Sequence, residues 1–151
     1  MYNATVNADR GMRRNPTLKE LAKKLKSLGD PTRLRILNLL FYGELCVCDI
    51  QHVLDMSQPL VSRHLSYQKS AGLVTDRRDG YRMFYKLLEE GPLINQTLVG
   101  FLKEVFREEK IFRQDLMGLR EAVKDGNCQI VQSRAFPRMS SSEAASSRSG
   151  A

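Results

Sequence analysis

Cysteine is scarce: the chain of 151 residues has three, two of them one position apart at Cys46 and Cys48. An odd count with that spacing excludes the paired framework of a small secreted disulfide domain. It fits a reducing cytosol, where thiols stay available to metal or metalloid ions. Long apolar runs are also missing. None approaches the ~20 residues a membrane helix needs, and the polar start at Met1–Thr5 has no apolar stretch of signal-peptide type. We therefore expect a soluble cytoplasmic protein with no membrane partner. The chain lacks a glycine-rich phosphate loop, a catalytic triad and a catalytic histidine beside the cysteines, which leaves an enzyme reading without support. Acidic residues are outnumbered. Lys and Arg total 24 against 17 Asp and Glu, a net charge of +7, and the balance favours an anionic partner, nucleic acid being the commonest.

What is present reads as one domain. Residues 1–16 are polar and basic, with Gly11 and Pro16, and are expected to form a flexible N-terminal arm. Thr17 with Glu20 forms a capping box, and Leu18, Leu21, Leu25 and Leu28 follow at helical spacing, with Lys23, Lys24 and Lys26 expected outside. Asp30-Pro31 starts a second helix that ends at Gly43. A third is expected from Cys46 to Asp55. Ser57 caps a fourth that carries Pro59 in its first turn and stops at Gly72. Two strand-like runs, 73–78 and 81–87, flank Asp79-Gly80, which predicts a hairpin with a type I′ turn. From Pro92 to about Lys124 the apolar residues keep helical period. One helix of that length would span ~45–50 Å, with part of its stripe expected to cover a second copy. Residues 17–125 thus form the domain, and 126–151 are expected to be a disordered tail carrying Cys128.

Helix, short turn, helix and basic hairpin is the order of a winged helix-turn-helix, a mainly α fold with a small β-hairpin. On the fourth helix Leu60, Val61 and Leu65 are expected to face the core. Gln58, Ser62, Arg63, Ser66 and Lys69 then lie on the opposite side and suit a major groove: Arg63 for guanine or phosphate, Gln58 for adenine, the serines for either. His64, beside Leu65, reads as a packed histidine rather than a base reader. The hairpin adds Arg77, Arg78 and Arg82, with Tyr81 and Tyr85 between or beside them. Residues 57–86 carry six basic side chains against two acidic, a balance suited to following phosphates. The expected partner is double-stranded operator DNA.

Three segments give these features a family likeness: Leu28-Gly29-Asp30-Pro31-Thr32-Arg33-Leu34-Arg35-Ile36-Leu37, Glu44-Leu45-Cys46-Val47-Cys48-Asp49-Ile50 and Ser57-Gln58-Pro59-Leu60-Val61-Ser62-Arg63-His64-Leu65. Together with Ala71-Gly72-Leu73-Val74 they strongly resemble the ArsR/SmtB repressors over roughly residues 17–105. The resemblance implies a homodimer built on the first and last helices. It also implies a palindromic operator and release by a metal or metalloid ion, here As(III) or Sb(III) as inducer, with no constitutive cofactor.

Glu-Leu-Cys-Val-Cys-Asp is similar to the family's arsenic and cadmium/lead site. Soft thiolates select thiophilic ions, and a helix start lowers thiol pKa values. Positions i and i+2 of a regular helix point about 200° apart, so joint ligation by Cys46 and Cys48 would require the helix start to unwind. That distortion would set ion binding against operator binding through linkage. Three departures from the family matter. Gln51 stands where many arsenic sensors have a third cysteine, residues 1–45 contain none, and the last helix has Glu104, Glu108, Glu109 and Asp115 but no histidine. Cys128 is the remaining candidate for a third thiolate. Alternatively, it is a free thiol in a mobile tail, with a small-molecule thiol or water completing the site. Two other readings stay open. One is a redox repressor, although an i, i+2 disulfide is expected to be strained. The other is a thiol enzyme or metal carrier.

Overall fold

Helix α2 (Pro31–Phe41) is the hub around which the other elements are laid, because from Ile36 onward every residue except Asn38 is apolar, and Asn38 is buried with its amide donating to the Phe112 carbonyl. Ile36, Leu37, Leu39 and Leu40 are almost wholly enclosed, as befits a run that is apolar nearly all round. The computed structural model describes residues 16–90, 93–131, 134 and 136. Around α2 lie α1 (Leu18–Leu28), α3 (Val47–Leu54), α4 (Gln58–Ser70), α5 (Leu93–Glu108) and α6 (Lys110–Lys124). Strands β1 (Leu45–Cys46), β2 (Val74–Asp79) and β3 (Arg82–Leu87) form one antiparallel sheet in the order β1-β3-β2. This is the winged helix-turn-helix expected from the element order. The expected arm lies almost wholly outside the described residues, as does the start of the last helical stretch at Pro92.

Local chemistry fixes the helix starts. Thr17 accepts from the Glu20 amide while the Glu20 carboxylate accepts from the Thr17 amide at 2.8 Å, completing the capping box. Asp30 accepts from the Arg33 amide, and Ser57 caps α4. Asp55 closes α3 in the left-handed region at φ 52°, a conformation Asp tolerates better than most side chains.

Several sequence expectations are corrected by tertiary contacts. Lys24 does not face outward: it is buried, with its ammonium donating to the carbonyls of Ala71 and Gly72. Leu60 is partly exposed, whereas Val61 and Leu65 are fully buried as expected. The hairpin loop is Gly80-Tyr81, closed by Asp79 opposite Arg82, and only Gly80 has a positive φ (60°). That is the pattern of a type II′ turn rather than type I′.

The expected single last helix is two. Glu109 leaves the helical region at φ −93°, ψ 131° and caps α6. The break lets Phe106 and Phe112 meet edge to face at 5.0 Å and turns α6 back onto α2 and α3. Its stripe of Phe112, Leu116 and Leu119 is therefore buried within its own chain rather than held for a second copy. Arg35 on α2 clamps the arrangement through a two-pronged pair with Asp115, at 2.7 and 2.8 Å. Glu108 and Glu109 carry a local signal for this break. Acidic residues are unfavourable at the end of one helix and favourable at the start of the next.

Nor does the chain become a tail at 126. Val131 and Glu44 exchange both backbone hydrogen bonds, at 2.9 and 3.0 Å, and the Arg134 amide donates to the Tyr42 carbonyl. Phe136 stacks on Tyr42, and Arg134 lies over the Phe41 ring. Gly43 permits this approach: a Cβ there would stand 2.8 Å from the Val131 carbonyl oxygen. The rest of the expected tail, from 137 on, lies outside the described residues.

Candidate nucleic-acid interface and thiol site

The outer face of α4 carries the expected groups. Gln58, Arg63, Ser66 and Lys69 are exposed and Ser62 is half-buried, while Val61, Leu65 and Gln68 point inward. Gln68 anchors the helix by donating to the Arg33 carbonyl at 2.9 Å. Arg33 in turn stacks on Tyr67 and donates to the last carbonyls of α1. His64 is half-buried, with Nδ1 4.0 Å from Asp30, too far for a hydrogen bond.

The wing divides its arginines. Arg78 and Arg82 are exposed near the tip, on either side of the fully exposed Tyr81, and have no carboxylate partner among the described residues. Arg77 is engaged. Its Nε donates to Glu44 Oε1 at 2.8 Å, Nη2 donates to the same oxygen, and the guanidinium lies 4.6 Å from the centre of the Phe84 ring. Lys69 is also engaged, donating to Asp76 at 2.9 Å and tying α4 to β2. These carboxylates raise the pKa values of Arg77 and Lys69. Of the eight expected DNA contacts, the structure thus leaves six free of ion pairs among the described residues and commits two to internal ones.

The thiol site differs from its sequence reading. Cys46 is not inside the third helix. It ends β1 opposite Phe84 and stands as the extended N-cap of α3 at φ −78°, ψ 158°. The 200° separation of helical i, i+2 positions therefore does not apply, and no unwinding is needed. The two sulfurs are joined in a disulfide, with Cα atoms 5.3 Å apart, inside the usual range of about 4.4–6.8 Å. Cys46 is buried and Cys48 is exposed, so the site opens to solvent on one side. The ligand atoms of Cys46, Cys48 and Asp49 all lie within 4.8 Å of one another. Asp49 is buried, and its Oδ2 has no hydrogen-bond partner. The sequence reading missed Asp49 as a donor. Its place directly after the second cysteine, in the first turn of α3, was the available signal.

Cys128 is a buried free thiol with Sγ 4.0 Å from the Asp49 carbonyl oxygen, not a group in a mobile segment. It is near the same turn of α3 but outside the Cys46–Cys48–Asp49 set. Burial, followed by the neighbouring Asp49, pushes its pKa up to about 12. It is a neutral thiol at physiological pH.

Comparison with known proteins fits this layout. The sequence pattern of the family described as bacterial regulatory protein, arsR family, matches residues 30–76, which contain α2, the thiol turn and α4. The arsenical resistance operon repressor of Escherichia coli K12 is 51% identical over 86 residues, 56% of this chain and 71% of the relative. That of Staphylococcus xylosus is 46% identical over 81 residues, 53% of this chain and 78% of the relative. The chain belongs to the arsR family. Another member, the arsenic resistance transcriptional regulator ArsR1 of Pseudomonas putida, is 47% identical, but this chain spans only 53% of its length. Among solved structures, the homodimeric winged helix-turn-helix DNA-binding domain of Mb0332 from Mycobacterium bovis, a possible ArsR-family regulator, matches with a TM-score of 0.53. It is 34% identical, and the match covers 60% of this chain and 82% of that one. HlyU from Vibrio cholerae matches with a TM-score of 0.53 at 27% identity, covering 60% and 95%. As an arsR-family member the chain is a transcription regulator of the DNA-binding winged-helix type. None of its described helices is long and apolar enough to cross a membrane.

Proposed function

We propose that this chain is a dimeric repressor that binds operator DNA and is released when trivalent arsenic or antimony binds Cys46 and Cys48. The observation that carries the reading is the convergence of the two sulfurs at the junction of β1 and α3. The first helix of the DNA-binding pair and the wing strand β3 meet there. An ion held at that junction acts on both halves of the DNA surface at once. Soft sulfur donors favour a thiophilic ion. Cys128 is the proposed third thiolate. Its thiol lies against the backbone of Asp49, and joining the site requires loss of a proton that burial holds tightly.

In this reading Gln58, Ser62 and Arg63 reach base edges, while Ser66, Arg78 and Arg82 contact phosphates. The second copy covers α1 and α5. Leu18 and Leu25, seven residues apart on α1, are 83% and 52% exposed, and Leu93 and Phe101, eight apart on α5, are 65% and 59% exposed.

The test is an operator-binding titration of the reduced protein by fluorescence anisotropy, with arsenite, antimonite, cadmium and zinc as competitors. Release by arsenite and antimonite is expected for the wild-type chain and not for Cys46→Ser or Cys48→Ser. Full release of Cys46→Ser by arsenite would sink the sensor assignment, and unchanged arsenite affinity in Cys128→Ser would remove the third thiolate. The disulfide favours a second reading, in which peroxide oxidises the two thiols to the bridge and is itself reduced to water. Mass spectrometry separates the two, because oxidation removes two hydrogens whereas arsenite adds an arsenic atom.

A further inference from the structure

Glu44 stands where three parts of the molecule meet. It lies two residues before Cys46, and its backbone exchanges two hydrogen bonds with Val131. Its buried carboxylate receives Nε and Nη2 of Arg77 from the wing. The strand register makes the link tighter. Cys46 is opposite Phe84, and Phe84 is opposite Arg77, so the three occupy one row across β1, β3 and β2. The Arg77 guanidinium lies over the ring of that same Phe84. Arg77 is thus placed between a carboxylate, an aromatic face and Asp79, 3.7 Å away. Arg78, its neighbour, points to solvent without an acidic partner among the described residues.

Strand β1 is only two residues long, so Leu45 alone separates Glu44 from Cys46. A shift of Cys46 toward a bound ion would be felt first at Glu44, whose carboxylate receives Arg77 from the wing. Neutralising Arg77 internally also removes it from the charges available to a phosphate.

We propose that Glu44 is the positioning residue that couples the thiol site to the wing, with Arg77 as its wing-side partner rather than an operator contact. The inference rests on the arsenic-release reading for its inducer but not for the role of Arg77. Glu44→Gln keeps the shape of the side chain and removes the charge that holds Arg77. In the full chain, arsenite binding is followed by ultraviolet absorbance of the sulfur–arsenic bonds, and operator binding by anisotropy with and without arsenite. Glu44→Gln is expected to bind arsenite and operator but to lose about tenfold in the ratio of operator affinities between the two states. Combining Glu44→Gln with Arg77→Gln is expected to cost no more of that ratio than either change alone. The slope of log affinity against log salt is expected to be the same in Arg77→Gln as in the wild-type chain, since a lost phosphate contact would lower it by about one.

A ratio unchanged in Glu44→Gln, or a slope reduced by about one in Arg77→Gln, overturns the proposal. A wild-type chain that arsenite does not release overturns the inducer reading instead, and the salt slope then decides the role of Arg77 by itself.

Discussion

The ammonium of Lys24 on α1 donates to the carbonyl of Ala71 at 2.8 Å and to that of Gly72 at 3.2 Å, closing the C-terminal end of α4. Asn95 on α5 donates to the same Gly72 carbonyl at 2.9 Å. The two helices whose apolar residues face outward thus grip the end of the recognition helix. Lys24→Met keeps most of the stem packing and removes both donors. The Gly72 carbonyl keeps its Asn95 donor, but the buried Ala71 carbonyl loses the Lys24 ammonium. Leaving one buried carbonyl unpaired costs roughly 1–3 kcal/mol, so the urea midpoint is expected to fall by the corresponding amount. Operator affinity should fall with it. Wild-type stability in Lys24→Met would show that the cap is dispensable.

The Arg35–Asp115 pair fastens α6 to α2, and Asp115 is only 6% exposed. Removing one partner of a buried pair typically costs about 3–5 kcal/mol, and the part-exposed Arg35 side chain moves the expectation toward the lower figure. Asp115→Ala should therefore show a clearly lowered denaturant midpoint. Replacing both partners, as Arg35→Met with Asp115→Leu, should recover much of the loss. A double variant as unstable as Asp115→Ala would contradict this account.

Cys128 sets a pH dependence with a definite sign. Its folded pKa is raised to about 12, against roughly 8.5 for a thiol in the unfolded chain. Between those values the folded state keeps a proton that the unfolded state has released, so stability falls as pH rises. The contribution is fully present below about pH 8.5 and is lost on approach to about pH 12. Groups common to both proteins cancel in the difference between wild type and Cys128→Ala. That difference in urea midpoint should shrink steadily across the alkaline window. A difference independent of pH would mean that the thiol is not shielded.

Leu25 and Phe101 are exposed apolar residues on α1 and α5. A charge at either site does not disturb the buried core, but it would have to be desolvated between two copies. Leu25→Glu and Phe101→Glu should yield folded monomers in sedimentation experiments, with weakened operator binding. A variant that remains dimeric would place the interface elsewhere.

The features legible in the sequence are those whose causes are local. Thr17 with Glu20, Asp30 with Pro31 and Ser57 with Pro59 mark helix starts by short-range hydrogen bonds and fixed φ angles. The alternation around Gly80 marks the wing for a similar reason. What escaped depends on partners distant in the chain. Lys24 reads as solvated until the end of α4 is brought to it. Glu109 interrupts an unbroken apolar period because turning there buries Phe112 on α2. Cys46 reads as helical from its neighbours, yet pairing with Phe84, 38 positions later, makes it a strand residue. That single long-range pairing changes the thiol chemistry from two diverging sulfurs to two converging ones.

The Glu44–Val131 pairing also bears on solution behaviour. β1 is an edge strand, and an uncovered edge offers its amides and carbonyls to any other extended chain. Val131 pairs with Glu44, the residue that leads into that edge, and Gly43 lets it come close enough to do so. A protein cut after Lys124 would keep α1 to α6 and the β1-β3-β2 sheet, yet its shelf life should shorten. Light scattering should then report slow assembly through exposed strand edges, and a tag fused close to Val131 carries the same hazard.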